Sequence, residues 1–286
     1  MSRGRIVCVL VLAALCAGGA AEVDAIEDGA HAAARTRPAR SGPMVPGDRP
    51  VAVPLPRPHF RRVRTPVPIL MYHAVGIPPT GAPFPELFTA PPAFRSQMHA
   101  LAAAGYRPVT LDRVWRAWHG RAALPRRPIV LSFDDGYLGD YTVAMPVLAR
   151  RGWPAVLNLL VANLHRVSWG LRTWMVERMV GRGWEVDSHT LTHPDLTTLG
   201  SAALTREVAR SRKVLRRLFH QPVDFFCYPA GAYDRAVIAA VRRAGYLGAE
   251  TELPGPARPS QRFTLRRIRV DDGEPAADVL ASLRAD

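Results

Sequence analysis

The chain reads as an α/β protein built on a distorted or incomplete (β/α) barrel of about seven units. Two observations predict this. Short apolar runs alternate regularly with helix-like stretches from about residue 67 to the end, which is the pattern of a largely parallel sheet covered by helices. Several of those apolar runs also end in unusual polar clusters, as expected where active residues collect at the carboxyl ends of barrel strands. With 286 residues, 48% hydrophobic and 22% charged, the composition is that of an ordinary globular protein, and collagen-like, wholly disordered and multi-span membrane chains are excluded.

The elements follow in order. Val67 to Tyr72 is a short apolar run. Pro92 to Ala104 is an amphipathic helix, with Phe94, Met98 and Leu101 at helical spacing and Gly105 closing it. Arg107 to Thr110 is strand-like, Asp112 to His119 helical, Pro128 to Phe133 a strand, and Tyr141 to Arg151 a helix ended by Gly152. Strand Ala155 to Leu160, a helix opening at Ser168, strand Trp184 to Val186, a long helix from Ser201 to Phe219 and strand Val223 to Cys227 continue the alternation. Asp234 to Ala244, Tyr246 to Ala249, Thr264 to Val270 and Pro275 to Leu283 complete it.

Ahead of this domain, residues 1–21 have the design of a secretory signal. Arg3 and Arg5 precede the apolar run Ile6 to Ala17, and Gly18-Gly19-Ala20-Ala21 offers small residues for cleavage. The run is short for a membrane span, so no stable span is expected after cleavage and the protein is expected to be exported, to the periplasm or beyond the cell. Lipidation at Cys16 is disfavoured by the bulk of Leu15, and retention as an anchor is the other alternative. Residues 22–66, rich in Ala, Pro, Gly and Arg without apolar periodicity, read as a disordered tether. Only Cys227 would remain after cleavage, which excludes an intramolecular disulfide and suggests a buried, inert thiol.

The net charge of +14 comes almost wholly from arginine, Lys213 being the one lysine. These arginines are scattered and form no recognition helix, so nucleic acid is not the expected partner, although a basic surplus attracts polyanions in general.

The chemistry concentrates in three places. Pro128 to Phe133 runs into Asp134-Asp135-Gly136, Trp184 to Val186 into Asp187-Ser188-His189 with His193 four residues on, and Val67 to Tyr72 ends at His73. Adjacent carboxylates after an apolar strand are costly unless a cation or a proton holds them. Asp135, His189 and His193 would offer one oxygen and two nitrogens to a divalent ion such as zinc. Their spacing of four places the two histidines on one side of a short helical turn.

Ser132-Phe133-Asp134-Asp135-Gly136, His189-Thr190-Leu191-Thr192-His193 and Phe226-Cys227-Tyr228-Pro229-Ala230-Gly231-Ala232-Tyr233-Asp234 resemble, in order and spacing, the motifs of the NodB-like polysaccharide deacetylases, carbohydrate esterase family four. The resemblance covers roughly Pro66 to Leu283. It implies a distorted (β/α) barrel and a metal-dependent hydrolase that removes N-acetyl groups from amino sugars in a polymer, with one divalent ion, zinc before cobalt, nickel or iron. It carries the general base over to Asp134, the ligands to Asp135, His189 and His193, and an oxyanion donor to the backbone near Ala230, with Tyr228 and Tyr233 as substrate-side candidates. Pro68-Ile69-Leu70-Met71-Tyr72-His73 together with the third motif is similar to the branch that acts on poly-β-1,6-N-acetylglucosamine biofilm polymers.

There are two departures. Cys227 stands where the family usually has an arginine that pairs with the base, and no histidine follows His220, although many members keep their catalytic acid near the C-terminus. His73 is the expected substitute acid, since it ends a strand on the same rim and titrates near neutral pH. Competing expectations are a peptidoglycan or chitin-oligomer deacetylase, a xylan O-acetyl esterase, or a silent carbohydrate-binding module. The full set Asp134, Asp135, His189 and His193 opposes the last. Trp169, Trp174 and Trp184 would either stack on sugars or pack in the core.

Overall fold

The computed structural model describes residues 60–284, except residue 83 and residues 166–168. The expected signal segment, most of the expected tether, Cys16 and Ser168 lie outside the described residues. The barrel strands are β1 (Ile69–Tyr72), β5 (Pro128–Asp135), β6 (Val156–Leu159), β7 (Glu185–Ser188), β8 (Phe225–Cys227), β9 (Gly248–Pro254) and β10 (Leu265–Arg269). They pair in parallel in the order β1-β10-β9-β8-β7-β6-β5, and β5 returns to β1 with Ile69 opposite Val130 and Tyr72 opposite Phe133. Seven strands thus close on themselves, as the alternation predicts. β4 (Arg107–Pro108) is no stave of the barrel and pairs only with the first two residues of β5. A further pair, β2 (Ala74–Val75) with β3 (Phe88–Thr89), was not foreseen, and two-residue strands carry too little periodicity to show.

Helices cover the outside: α1 (Pro91–Ala103), α3 (Met145–Ala149), α4 (Thr173–Val180), α5 (Ser201–Thr205), α6 (Ser211–Phe219), α7 (Arg235–Arg243) and α8 (Ala276–Ser282). α3 and α6 are each preceded by a π-helical turn, Asp140–Ala144 and Arg206–Arg210. The helix expected from Ser168 starts at Thr173.

Side chains alternate along each strand, so every stave has two faces. Leu131 and Phe133 of β5, Leu157 and Leu159 of β6, and Phe226 of β8 face outward into the main core beneath the helices. There Phe133 stacks on Tyr72 at 5.4 Å and meets Trp184 at 5.1 Å, so Trp184 belongs to the core. The inward residues Ile69, Val130, Val156, Phe225 and Leu265 form a second cluster. It is closed at the amino ends of the strands by α2 (Leu111–Trp118), whose Val114, Trp115 and Trp118 join it. The N-terminus of α2 is fixed by Glu185, which accepts the Asp112 N–H at 3.1 and 3.0 Å. With that end plugged, only the carboxyl end of the barrel is left for chemistry.

The residues just before β1 also lie on α2. The Val63 N–H donates to the Ala117 carbonyl at 3.1 Å, and the Trp118 indole donates to the Thr65 carbonyl at 3.3 Å. A chain starting at Arg61 keeps both bonds, whereas one starting at Val67 is expected to lose ~1–2 kcal/mol of stability. Urea unfolding of the two chains checks this, and equal midpoints would show that residues 61–66 add nothing to the fold.

Candidate active site

Going up the barrel from its apolar floor, the inward positions turn polar. Ser132 and Asp134 follow Val130 on β5, Asn158 follows Val156 on β6, Cys227 follows Phe225 on β8, and Arg267 follows Leu265 on β10. All five are buried, as is Glu250 of β9.

Arg267 organises this layer. Its Nη1 donates to Asp134 Oδ1 at 2.7 Å and to Ser132 Oγ at 3.3 Å, and its Nη2 to Asp134 Oδ2 at 2.8 Å and Cys227 Sγ at 3.2 Å. Nε donates to the Thr251 carbonyl at 2.9 Å. Every N–H of the guanidinium has a partner, the condition under which a buried arginine is tolerated. Asn158 adds a bond to Asp134 Oδ1 at 2.9 Å and one to Glu250 at 2.6 Å. Burial alone would raise the Asp134 pKa. The charge and twin hydrogen bonds of Arg267 outweigh it and hold this carboxyl well below the usual carboxylate range. Glu250, buried without so close a cation, is shifted upward.

The arginine that the third motif lacks is thus supplied from β10. Its place in the sequence gave a usable signal, because Arg267 shares the inward face of its strand with Leu265 and an inward arginine needs a buried anion. Asn158, inward after Val156, gave a signal of the same kind; in neither case does the sequence say which stave supplies the partner. The Cys227 thiol is buried as expected, with its pKa pushed well up by burial, but its Sγ lies in this polar layer, 3.6 Å from Asp134 Oδ2.

Asp135 is turned away from Asp134 by its backbone. It has φ 72°, Gly136 after it has φ 82°, and a Cβ on Gly136 would stand 2.4 Å from Leu159 Cδ1. Glycine is therefore required there. Asp135 Oδ1 lies 3.6 Å from His189 Nε2 and 3.8 Å from His193 Nε2, and the two Nε2 atoms are 3.1 Å apart. His189 Nδ1 sits 2.9 Å from the Cys227 carbonyl, which can only accept, so Nδ1 carries the hydrogen and Nε2 is left for a ligand. Asp135 Oδ1 is buried with no hydrogen-bond partner. One carboxylate oxygen and two imidazole nitrogens converge with nothing of opposite charge among them, so the donor set fits a divalent cation such as zinc.

The helical turn expected for the histidine pair is not formed. Thr190 and His193 both have left-handed backbone, φ 71° and 61°, and the loop is held from α6's preceding π turn by Glu207. Glu207 accepts the N–H groups of Leu191 and Thr192 at 2.9 and 3.0 Å. Thr190 Oγ1 takes the His193 N–H at 2.9 Å. Nothing in the spacing marks Glu207 as the residue that shapes the pair.

His73 ends β1 on the same rim, its Nε2 3.9 Å from Asp134 Oδ2 and its buried Nδ1 unpartnered. Burial brings its pKa down to about 4, opposed by Asp134 and reinforced by Arg267 and Arg269, so in this state it is neutral near pH 7 and does not titrate there as expected. Ala230, at φ 49°, lies in a turn whose backbone bonds run from Gly231 and Ala232, and its own N–H takes no part in them. Tyr228 is a correction to the substrate-side assignment: its ring is buried and its hydroxyl donates to the Phe263 carbonyl at 3.1 Å. Tyr233 stacks on it at 5.0 Å. Trp169, 37% exposed, lies 5.5 Å from Tyr137 beside the motif, while Trp174 is exposed against Tyr141.

The sequence model of the polysaccharide deacetylase family matches residues 121–249, a span that holds Asp134, Asp135, His189, His193 and Ala230. Over that span the chain is similar to the polysaccharide deacetylase family. It is 28% identical over 211 residues, 72% of each chain, to the "Putative polysaccharide deacetylase YxkH" of Bacillus subtilis. A 64-residue stretch is 42% identical to the poly-beta-1,6-N-acetyl-D-glucosamine N-deacetylase of Escherichia coli, covering a tenth of that protein. The structure of the Streptococcus pyogenes deacetylase PplD in complex with acetate superposes with a TM-score of 0.71 at 25% identity, over 77% of this chain and 99% of that one.

Burial raises the Asp135 pKa to about 6, eased by His189 and reinforced by Asp134, while burial and its histidine neighbours lower that of His193 to about 3. Ion binding requires the carboxylate, so protons compete as the pH falls through 6 while His193 stays unprotonated. Zinc affinity is expected to drop about tenfold between pH 7 and pH 5 from this group alone. Equilibrium dialysis reads it, and a flat affinity over that range would contradict the assignment of Asp135. His189→Ala with His193→Ala should abolish stoichiometric zinc, whereas retained zinc would place the ion elsewhere.

Proposed function

We propose that this chain is an exported, metal-dependent hydrolase that removes N-acetyl groups from N-acetylglucosamine units of a polymer of the poly-β-1,6-linked kind found in biofilms. The observation that carries the reading is an arginine-clamped, ionised Asp134 beside the convergent donors of Asp135, His189 and His193, of which Asp135 Oδ1 is buried without a partner. The named Escherichia coli relative and the Pro68 to His73 segment support the choice of polymer.

In this reading Asp135, His189 and His193 hold the ion. When bound, it would lower the pKa of water and polarise the acetyl carbonyl. Asp134 takes the water proton; being held ionised, it is available as a base throughout the mildly acidic and neutral range. A carbon–oxygen bond forms as the proton leaves the water, and the carbonyl oxygen that turns negative is met by the Ala230 N–H. The carbon–nitrogen bond then breaks, giving acetate and an amine, and the nitrogen must gain a proton. Neutral His73 supplies it by accepting the proton from Asp134 Oδ2 and releasing it from the same nitrogen.

Asp134→Asn should abolish acetate release while metal content is largely retained; loss of the ion from this variant, with retention in Asp135→Asn, would reverse the two roles. His73→Ala should lower turnover by about 10² with metal intact. Near-normal turnover in that variant would direct the search to another donor. The substrate is tested by acetate release from a panel of poly-β-1,6-N-acetylglucosamine, chitin oligomers, peptidoglycan and acetylated xylan, with and without chelator. Preference for any polymer other than the first would overturn that choice, and chelator-insensitive release would overturn the metal dependence.

A further inference from the structure

The plugged end of the barrel carries a second concavity, about 460 Å³, between α2, the chain leading into β1, α7 and the loop before β10. Its lining residues all precede strands or belong to the plug, so it opens on the face opposite Asp134 and Asp135. Arg62, Arg64, Arg242, Arg262 and His119 line it, and no acidic side chain does. Among the described residues none of the four arginines forms an ion pair. Four guanidinium groups without a carboxylate partner among the described residues, gathered from three separate segments, make this hollow a concentration of positive charge that favours an anion.

The aromatic floor gives these cations direction. Arg262 lies over Trp115 and Phe263, 5.9 and 5.0 Å from the ring centroids, and Arg242 over Phe263 at 4.6 Å. A guanidinium laid on a ring keeps its N–H groups at its edges, free to donate. Gln261 Oε1, in the same wall, is buried without a partner; turned over, the amide would present an N–H to the same space.

We infer that this concavity binds a compact, multiply charged oxyanion of the phosphate class, such as a phosphate group carried on an envelope polymer. Guanidinium forks match the oxygens of phosphate in pairs, and a basic hollow walled by aromatic rings favours a small group of high charge over a flat anionic surface. Because the site faces away from the barrel mouth, and because Arg62 and Arg64 lie in the chain that leads into the domain, a polyanion held there anchors the protein with its catalytic end free.

Calorimetric titration of the full chain with tripolyphosphate at fixed ionic strength tests this. One saturable site is expected, weakened at least about tenfold in Arg62→Gln/Arg242→Gln, since each lost charge-assisted bond is worth that order. Arg95→Gln/Arg182→Gln, with the same loss of charge on exposed positions elsewhere, should bind within about twofold of the parent. No saturable binding, unaltered affinity in the first variant, or equal weakening in both would overturn the site. The first variant should also melt as the parent does and release acetate from a soluble oligomer at the parental rate, which separates this site from the active one.

Discussion

The fork of Arg267 on Asp134 is the interaction on which the upper half of the barrel depends. A barrel of seven parallel staves has an interior too narrow for water-filled space, so any polar residue facing inward must find its partners among the other staves. Ser132, Asp134, Asn158, Cys227, Thr251 and Arg267 do so through one set of bonds that ties β5, β6, β8, β9 and β10 together. Removing either charge from such a pair leaves the other buried alone, at a cost of about 3–5 kcal/mol. The same bonds that satisfy the interior also fix the protonation state of Asp134, so fold and chemistry share one constraint.

The second constraint is backbone strain. Of the six described non-glycine residues with positive φ, Asp135, Thr190, His193 and Ala230 lie at the site. Such conformations cost of order 1–3 kcal/mol each and persist only where the surroundings over-determine them. Here each has an identifiable result. Asp135 is turned off the inward line of Asp134, His193 is folded back onto His189, and the N–H of Ala230 is left out of its own turn.

Much of this was legible in the sequence because strands and helices write different periods. The alternation located six of the seven barrel strands and only the first two residues of β9, which the reading ended at Ala249, and polar clusters at strand ends located Asp134, Asp135, His189 and His73 on one rim. What was not legible depends on contacts between staves distant in sequence. Arg267 is separated from Asp134 by more than a hundred residues, and no local pattern says which stave faces which. Glu207 shapes the histidine loop through backbone N–H groups, which carry no side-chain signature. The assumption of a helical turn between His189 and His193 failed because two left-handed residues, anchored by Glu207 and Thr190, produce the same proximity by another route. Tyr228 was read by its motif position, whereas the strand pleat sends its ring into the core.

If Asp134 is the base, the Arg267 fork that keeps it ionised sets the pH below which activity is lost. The most direct measurement is the acid limb of kcat/KM for acetate release at saturating zinc, in the parent chain, Arg267→Lys and Arg267→Gln, each first shown to be folded by its melting transition. The limb should move to higher pH as the fork is weakened and then removed, with most of the loss in Arg267→Gln recovered in Arg267→Lys. An acid limb at the same pH in all three chains would contradict it.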